Sequence, residues 1–86
     1  MDVAGTDAMI RLYAEQKAIY ADSSGNKVIE TTHQPQSING KMYVYDADDG
    51  TEVATVIRAT IQAYNIINLR NNALSEGDIV WVSYNY

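Results

Sequence analysis

The stretch that decides the fold is residues 41–64, KMYVYDADDGTEVATVIRATIQAY. Residues 41–47 alternate between two faces as a strand does, with two tyrosines on one face and Met42 and Val44 on the other. Turn-forming residues 48–50 follow, and half of residues 51–64 are Val, Ile or Thr, which favour strands. The stretch therefore predicts a β-hairpin with a long return strand.

The return strand has one apolar side and one polar side. The side expected to be buried carries Val53, Thr55, Ile57, Ala59, Ile61 and Ala63, and the other side carries Glu52, Arg58, Thr60 and Gln62. A straight strand of this length would measure about 45 Å. A single domain of this size has a radius of gyration of only about 12 Å. The strand must therefore bend, form a bulge or divide in two.

The last strand is predicted at residues 79–86. It is apolar on both faces, with Ile79 and Trp81 on one face and Val80, Val82, Tyr84 and Tyr86 on the other. It has neither the charge nor the proline with which monomeric proteins protect a free strand edge. We expect this strand to be buried against the domain's own first strand or against a neighbouring subunit.

The other segments are less regular. A hairpin is predicted at 17–32, around the turn-forming residues 22–26, and a loop at 33–40. Residues 7–16 fit either a helix or a strand, and residues 1–6 are expected to form a flexible arm. As a strand, the first segment would place Ile10, Leu12, Ala14, Ala18 and Tyr20 opposite Arg11, Glu15 and Lys17. Residues 65–75 are expected to form a packed connection with a helical turn.

These elements predict one mainly β domain over residues 1–86, a small barrel or sandwich of SH3 or OB type, with one N-terminal helix left open. The 86 residues hold 6 Lys plus Arg against 11 Asp plus Glu, a net charge of −5. An acidic chain is a poor binder of the nucleic-acid backbone, because that binding draws on Lys and Arg. The absence of Cys excludes disulfides and thiolate zinc sites. A chain this small without disulfides or thiolate zinc sites is expected to depend on partner subunits for part of its stability.

No targeting segment is expected. Charged side chains interrupt the first twenty residues, where a signal peptide needs an apolar core. No window approaches the ~20 apolar residues that a membrane helix needs. We therefore expect no membrane partner and a cytoplasm-like compartment, unless the protein leaves the cell inside a larger particle.

Catalytic and metal-binding constellations are missing from the sequence. The acidic run Asp46, Asp48, Asp49 and Glu52 has its glycine one position too early for a calcium loop, and Ile57 stands where the bidentate Glu belongs. A solvated hairpin turn is the simpler interpretation. His33 is the only histidine, and no nucleophile is visibly paired with it. We expect no cofactor and no enzymatic activity.

Aromatic residues are the candidates for a binding surface: Tyr43, Tyr45, Trp81, Tyr84 and Tyr86. Core or cross-strand packing is the favoured interpretation for Trp81, and it is an alternative for Tyr43. For Tyr84 and Tyr86 a protein interface is favoured, because tyrosine is enriched at contact surfaces. An OB-like domain would stack nucleobases on such rings beside a basic groove, but the six cations are scattered singly along the sequence.

Residues 74–82, LSEGDIVWV, have the form L-x-x-G-D-x-V-x-V. This resembles the closing strand of small β-barrel domains in baseplate, neck and tail proteins of tailed phages. The resemblance implies that Val80 and Val82 point into the barrel. It also implies a non-enzymatic structural subunit of the virion (tail, neck, baseplate or capsid decoration), assembled in the host cytoplasm. Its partners would be other virion proteins or copies of itself.

Two other functions remain open. One is an OB-like oligonucleotide-binding module. The other is a small acidic inhibitor of a host protein that handles nucleic acid, with the acidic run acting as a phosphate mimic.

Overall fold

The computed structural model describes residues 12–38, 41–71 and 73–86, and every regular element in these ranges is a β-strand. The strands are β1 (Leu12–Ala18), β2 (Tyr20–Ala21), β3 (Lys27–Glu30), β4 (Ser37–Ile38), β5 (Met42–Tyr45), β6 (Glu52–Val56), β7 (Thr60–Ala63), β8 (Ile66–Asn68) and β9 (Ile79–Asn85). The predicted mainly β class is confirmed. The expected arm at 1–6 and the start of the ambiguous segment, 7–11, lie outside the described residues.

The strands form two antiparallel sheets. The first sheet has the order β1-β9-β5-β6, with β4 pairing to the far end of β9, and the second has the order β2-β3-β8-β7. The predicted hairpin 17–32 forms as β2–β3, and the first part of the predicted hairpin 41–64 forms as β5–β6. The last strand lies between β1 on one side and β5 and β4 on the other. The expectation that it is buried against the first strand is confirmed.

The first segment is a strand rather than a helix over its described part, and it turns its charged face inward in place of its apolar face. Leu12 is 69% exposed, whereas Glu15 and Lys17 are half-buried on the inner side. The register explains the reversal, because Glu15 lies opposite the buried Val82 and Lys17 opposite the buried Val80. Residues directly opposite each other in an antiparallel pair point to the same face.

The long return strand divides in two, as its length requires. Its first half, β6, belongs to the first sheet, and its second half, β7, forms an edge of the second sheet. The expected buried side is wrong, since Val53 is 50% exposed and Ile57 70% exposed. Val56 is buried instead, because the register places it opposite the buried Met42.

The connection 65–75 contains a strand that the sequence did not predict. Strand β8 pairs with both β3 and β7, so it is central in the second sheet although it has only three residues. Ile67 and Leu69 are fully buried, which confirms that the segment is packed. The described part of residues 65–75 contains no helix, and one of its turns is closed by a hydrogen bond from the Leu74 N–H to the Asn71 carbonyl at 3.5 Å.

The hydrophobic core lies between the two sheets and draws on both. Its buried members are Ile19, Ile29, Met42, Val44, Val56, Ile67, Leu69, Leu74, Val80, Val82 and Tyr84. In the first sheet, β5 and β9 bury alternate residues in this core and leave the others outside. The outer residues of the first sheet are therefore the natural candidates for contacts with other molecules.

We predict that Gly77→Ala lowers the free energy of unfolding by about 1–2 kcal/mol, because an L-residue is strained at positive φ. Gly77 has a φ of +93°, and an added Cβ would meet no atom within 4 Å, so the cost is conformational. Its N–H donates to the carbonyl of Ile19 at 2.8 Å, which ties this turn to the core. Urea unfolding measures the loss. The adjacent exposed control, Glu76→Ala, should change stability little, and equal stability of the two variants would contradict the strain argument.

Candidate protein-interaction face

Three of the five predicted contact residues lie together on the outer side of the first sheet. Tyr43 and Tyr45 are on β5, and Trp81 is on β9 directly opposite Tyr43. Ile79 lies opposite Tyr45 in the same pair of strands. We call these four residues the outer face. They come together because side chains alternate along each strand, and their neighbours Met42, Val44, Val80 and Val82 are buried in the core.

The outer face is apolar and partly exposed. Trp81 is 42% exposed, so it is not a core residue, but its position directly opposite Tyr43 agrees with the cross-strand packing expected of it. Val53 on the flanking strand β6 is also exposed, and on the other flank Gln16 of β1 lies opposite Trp81. Tryptophan and tyrosine combine a large apolar area with few rotatable bonds, and for this reason they are enriched in protein interfaces.

A shallow concavity of about 340 Å³ adjoins one end of the outer face. Its lining consists of Gln16, Tyr45, Asp46, Ala47, Gly50 and Ile79. The carboxylate of Asp46 thus borders the aromatic surface, and Glu52 lies opposite Tyr45 across β5 and β6. The outer face therefore has an acidic border at this end.

The other two predicted contact residues lie on the opposite side of the same strand. Tyr84 is fully buried, so its side chain packs within the chain and is not available at the surface of this fold. Its hydroxyl donates to the Glu15 carboxylate at 2.6 Å and accepts a hydrogen bond from the backbone N–H of His33 at 3.1 Å. Tyr84 therefore joins β9, β1 and the loop after β3.

Tyr86 is half-buried beside the same loop. Its ring stacks on the His33 imidazole, with the centroids 3.8 Å apart and the planes 1° from parallel. Tyr13 meets both rings edge-on, at 4.8 Å from His33 and 5.8 Å from Tyr86. The lone histidine, to which the sequence assigns no role, thus packs in an aromatic cluster that also contains Tyr84.

The electrostatics of this inner cluster centre on Glu15, whose side chain is 10% exposed. Burial by itself raises the pKa of Glu15, but hydrogen bonds from Thr32 and Tyr84 outweigh it and hold the pKa below its usual value of 4.5. Lys17 adds an ion pair at 3.6 Å. Burial and the hydrogen bond to Glu15 together raise the pKa of Tyr84 to about 12.

Sequence reasoning missed this cluster because its members are far apart in the chain. Glu15 and Tyr84 are separated by 69 positions, and no spacing motif joins them. The one available signal was the spacing of two residues between Val80, Val82 and Tyr84, which places all three on the same face of β9, the face that is buried in the core. A buried tyrosine hydroxyl needs a partner, and that requirement points to a polar residue on the neighbouring strand.

The acidic run forms a tight turn, as predicted. The Asp48 N–H donates to Asp46 at 2.7 Å, the Thr51 N–H donates to Asp49 at 2.9 Å, and Gly50 has a φ of +76°. In the described ranges no three His, Cys, Asp or Glu residues are placed to hold a metal ion. No helix among the described residues is long and apolar enough to cross a membrane.

The fold and this surface define a class: a small protein of two antiparallel sheets with an aromatic, partly exposed outer face on one of them. Comparison with known proteins found no matching family, no similar curated protein and no similar solved structure.

We predict that Tyr84→Phe lowers the free energy of unfolding by about 1–3 kcal/mol at neutral pH, because the Glu15 carboxylate and the His33 N–H each lose a partner. Tyr43→Phe, on the outer face, is the matched control and should cost less. Urea unfolding measures both variants, and equal losses would contradict an internal role for the Tyr84 hydroxyl.

We also predict a pH dependence. Because the pKa of Glu15 is lower in the folded protein, its contribution to stability is fully present above about pH 4.5 and is lost as the pH falls through the folded-state pKa. Glu15→Gln should remove this part of the acid sensitivity. Unfolding free energies measured from pH 7 down to pH 3 test the effect, and parallel curves for the wild type and Glu15→Gln would contradict it.

Proposed function

We propose that this chain is a non-enzymatic structural subunit of a phage particle, which assembles through protein–protein contacts of the outer face. The observation that supports it most is the cross-strand set of Tyr43, Tyr45, Ile79 and Trp81, held on a regular sheet and partly open to solvent. Aromatic anchors on a rigid scaffold lose little conformational entropy when a partner covers them.

The resemblance of residues 74–82 to closing strands of phage structural proteins supports the particle as the setting. The last four residues of this stretch, 79–82, belong to β9, in which Val80 and Val82 are fully buried. This burial agrees with what the resemblance implies for the two valines. The same alternation turns Trp81 outward, so the resembling stretch itself supplies the central residue of the proposed contact.

Backbone pairing by the last strand is not the means of assembly that we propose. Both edges of β9 are occupied within the chain, by β1 and by β5 and β4. The contact is therefore assigned to side chains of the sheet face rather than to a free edge of β9. Partners are other virion proteins or further copies of this chain.

The surroundings of the outer face favour a protein partner over an oligonucleotide. Base stacking on aromatic rings works together with a basic groove that follows the phosphates. Here the carboxylates of Asp46 and Glu52 border the aromatic surface and would repel phosphates. The acidic-inhibitor function finds less support, since only four acidic residues cluster at this turn and the others are dispersed along the sequence.

We predict that the double variant Tyr43→Ser, Trp81→Ser keeps the fold and weakens assembly by roughly tenfold or more, as expected when interface anchors are removed. Light scattering coupled to size exclusion, over a range of concentrations, measures the assembly. Tyr64→Ser is the matched control, because Tyr64 is 69% exposed but belongs to the turn between β7 and β8 in the other sheet.

Unchanged assembly of the double variant, or equal weakening by Tyr64→Ser, would contradict the assignment to the outer face. A titration with labelled single-stranded DNA at low and high salt tests the alternative. Saturable, salt-sensitive binding that the double variant abolishes would favour the oligonucleotide module.

A further inference from the structure

An open groove lies just after β6, where the chain crosses from the first sheet to the second. It has a volume of about 590 Å³ and is lined by Ile57, Arg58, Ala59, Thr60 and Arg70. A smaller depression of about 190 Å³ shares Ile57 and both arginines and continues towards Leu69 and Asn71. We call the two together the arginine groove. Two exposed arginines line it beside an isoleucine that is 70% exposed.

The two arginines are not neutralised by the part of the chain that the structure describes. Within it, the ion pair is that of Lys17 with Glu15, and no carboxylate approaches Arg58 or Arg70 within 4.0 Å. In a chain of net charge −5, the groove is thus a local reversal of charge. Guanidinium groups bind carboxylates through paired hydrogen bonds, so an acidic ligand is the chemistry that this groove fits.

The backbone at Arg70 is held in an unusual conformation. Its φ is +59°, and its N–H donates to the side-chain oxygen of Asn68 at 2.8 Å. A left-handed conformation costs a non-glycine residue about 1 kcal/mol or more. The Asn68 hydrogen bond offsets part of that cost and keeps Arg70 at the groove.

A complementary surface lies at the other end of β6. It is the acidic turn, which we define as Asp46, Asp48, Asp49 and Glu52. Asp46 and Asp49 each accept backbone N–H bonds through one oxygen, Oδ1, so these bonds orient the side chain while leaving Oδ2 for another partner. Three of the four residues are exposed, and the turn is a compact cluster of negative charge.

A single chain cannot bring these two surfaces together. They lie at opposite ends of β6, whose five residues span roughly 17 Å. That separation exceeds the Debye length of about 8 Å at physiological salt, so attraction between them within one chain is screened. A second copy of the chain can present its acidic turn directly to the arginine groove of the first.

We propose that the arginine groove is the docking site for the acidic turn of a second copy, so that copies associate head to tail. This inference deepens the proposed function, on which it rests, by naming a contact between copies. Because the two contacting surfaces differ, a series of copies has an unused groove at one end and an unused acidic turn at the other. Such an arrangement closes into a ring or continues as a filament, according to the angle between copies.

Two variants separate the partners of this contact. The groove variant, Arg58→Gln with Arg70→Gln, removes the charge of the groove and keeps much of the length of both side chains. The turn variant, Asp48→Asn with Asp49→Asn, removes charge from the turn and keeps the oxygen of residue 49 that accepts from Thr51. We expect the wild type to gain mass with concentration, less so at high salt. Each variant alone should associate at least roughly tenfold more weakly than the wild type.

The decisive sample is an equal mixture of the two variants. Together they contain one intact turn, on the groove variant, and one intact groove, on the turn variant. With Tyr43→Ser and Trp81→Ser added to both, which removes the outer-face contact, we expect a dimer of one copy of each that grows no further, measured by light scattering and sedimentation velocity. The matched control is Lys27→Gln with Lys41→Gln, which removes the same charge elsewhere and should associate as the wild type does.

Several outcomes would overturn the proposal. They are wild-type association in both variants, a mixture that forms no dimer, and a wild type that is monomeric at every concentration. Salt-sensitive binding of single-stranded DNA that is lost in the groove variant would assign the groove to another ligand. The outer-face variant keeps failure of the two proposals apart. If only the outer-face variant (Tyr43→Ser, Trp81→Ser) loses assembly, the proposed function stands without head-to-tail docking. If the outer-face variant assembles as the wild type does and the groove variant does not, head-to-tail docking stands and the contact through the outer face is wrong.

Discussion

The hydrogen bond from the buried Tyr84 hydroxyl to the Glu15 carboxylate is the constraint on which the rest of the structure depends. A buried tyrosine hydroxyl and a nearly buried carboxylate each cost free energy unless they are paired. The pairing requires both side chains on the inner side of the first sheet. It therefore fixes which face of β1 is turned inward, and β1 is the strand that occupies one edge of β9 along its whole length.

The outer face follows from that constraint through the alternation of side chains. With Tyr84, Val82 and Val80 turned inward, Trp81 and Ile79 have to point outward, and the antiparallel register brings Tyr43 and Tyr45 beside them. A slip of one residue would bury Trp81 and expose Tyr84 together with its carboxylate partner. The same polar pair that is buried for stability thus determines which aromatic residues remain exposed.

Local patterns in the sequence were enough for the β class, the two hairpins and the faces of the last strand, because each depends on neighbouring residues. The predictions failed where a residue far away in the sequence determines which side chains are buried. Glu15 reads as a solvent-facing residue until Tyr84, 69 positions away, provides its hydrogen bond. Val53 and Ile57 read as core residues until the register with β5 selects Val56 instead. Strand β8 is recognisable only through the strands on either side of it.

The placement of charge and apolar surface gives the proposed subunit two contacts of different physical character. The outer face is aromatic and lies across β5 and β9, whereas the acidic turn and the arginine groove lie at the two ends of β6. Burial of apolar area is little affected by moderate salt, while attraction between exposed charges is screened within about 10 Å at 0.1 M salt. Ionic strength would therefore act on the contacts between ends and leave those of the face in place. A subunit built in this way could bind its neighbours in the particle through the face before, or without, linking to copies of itself.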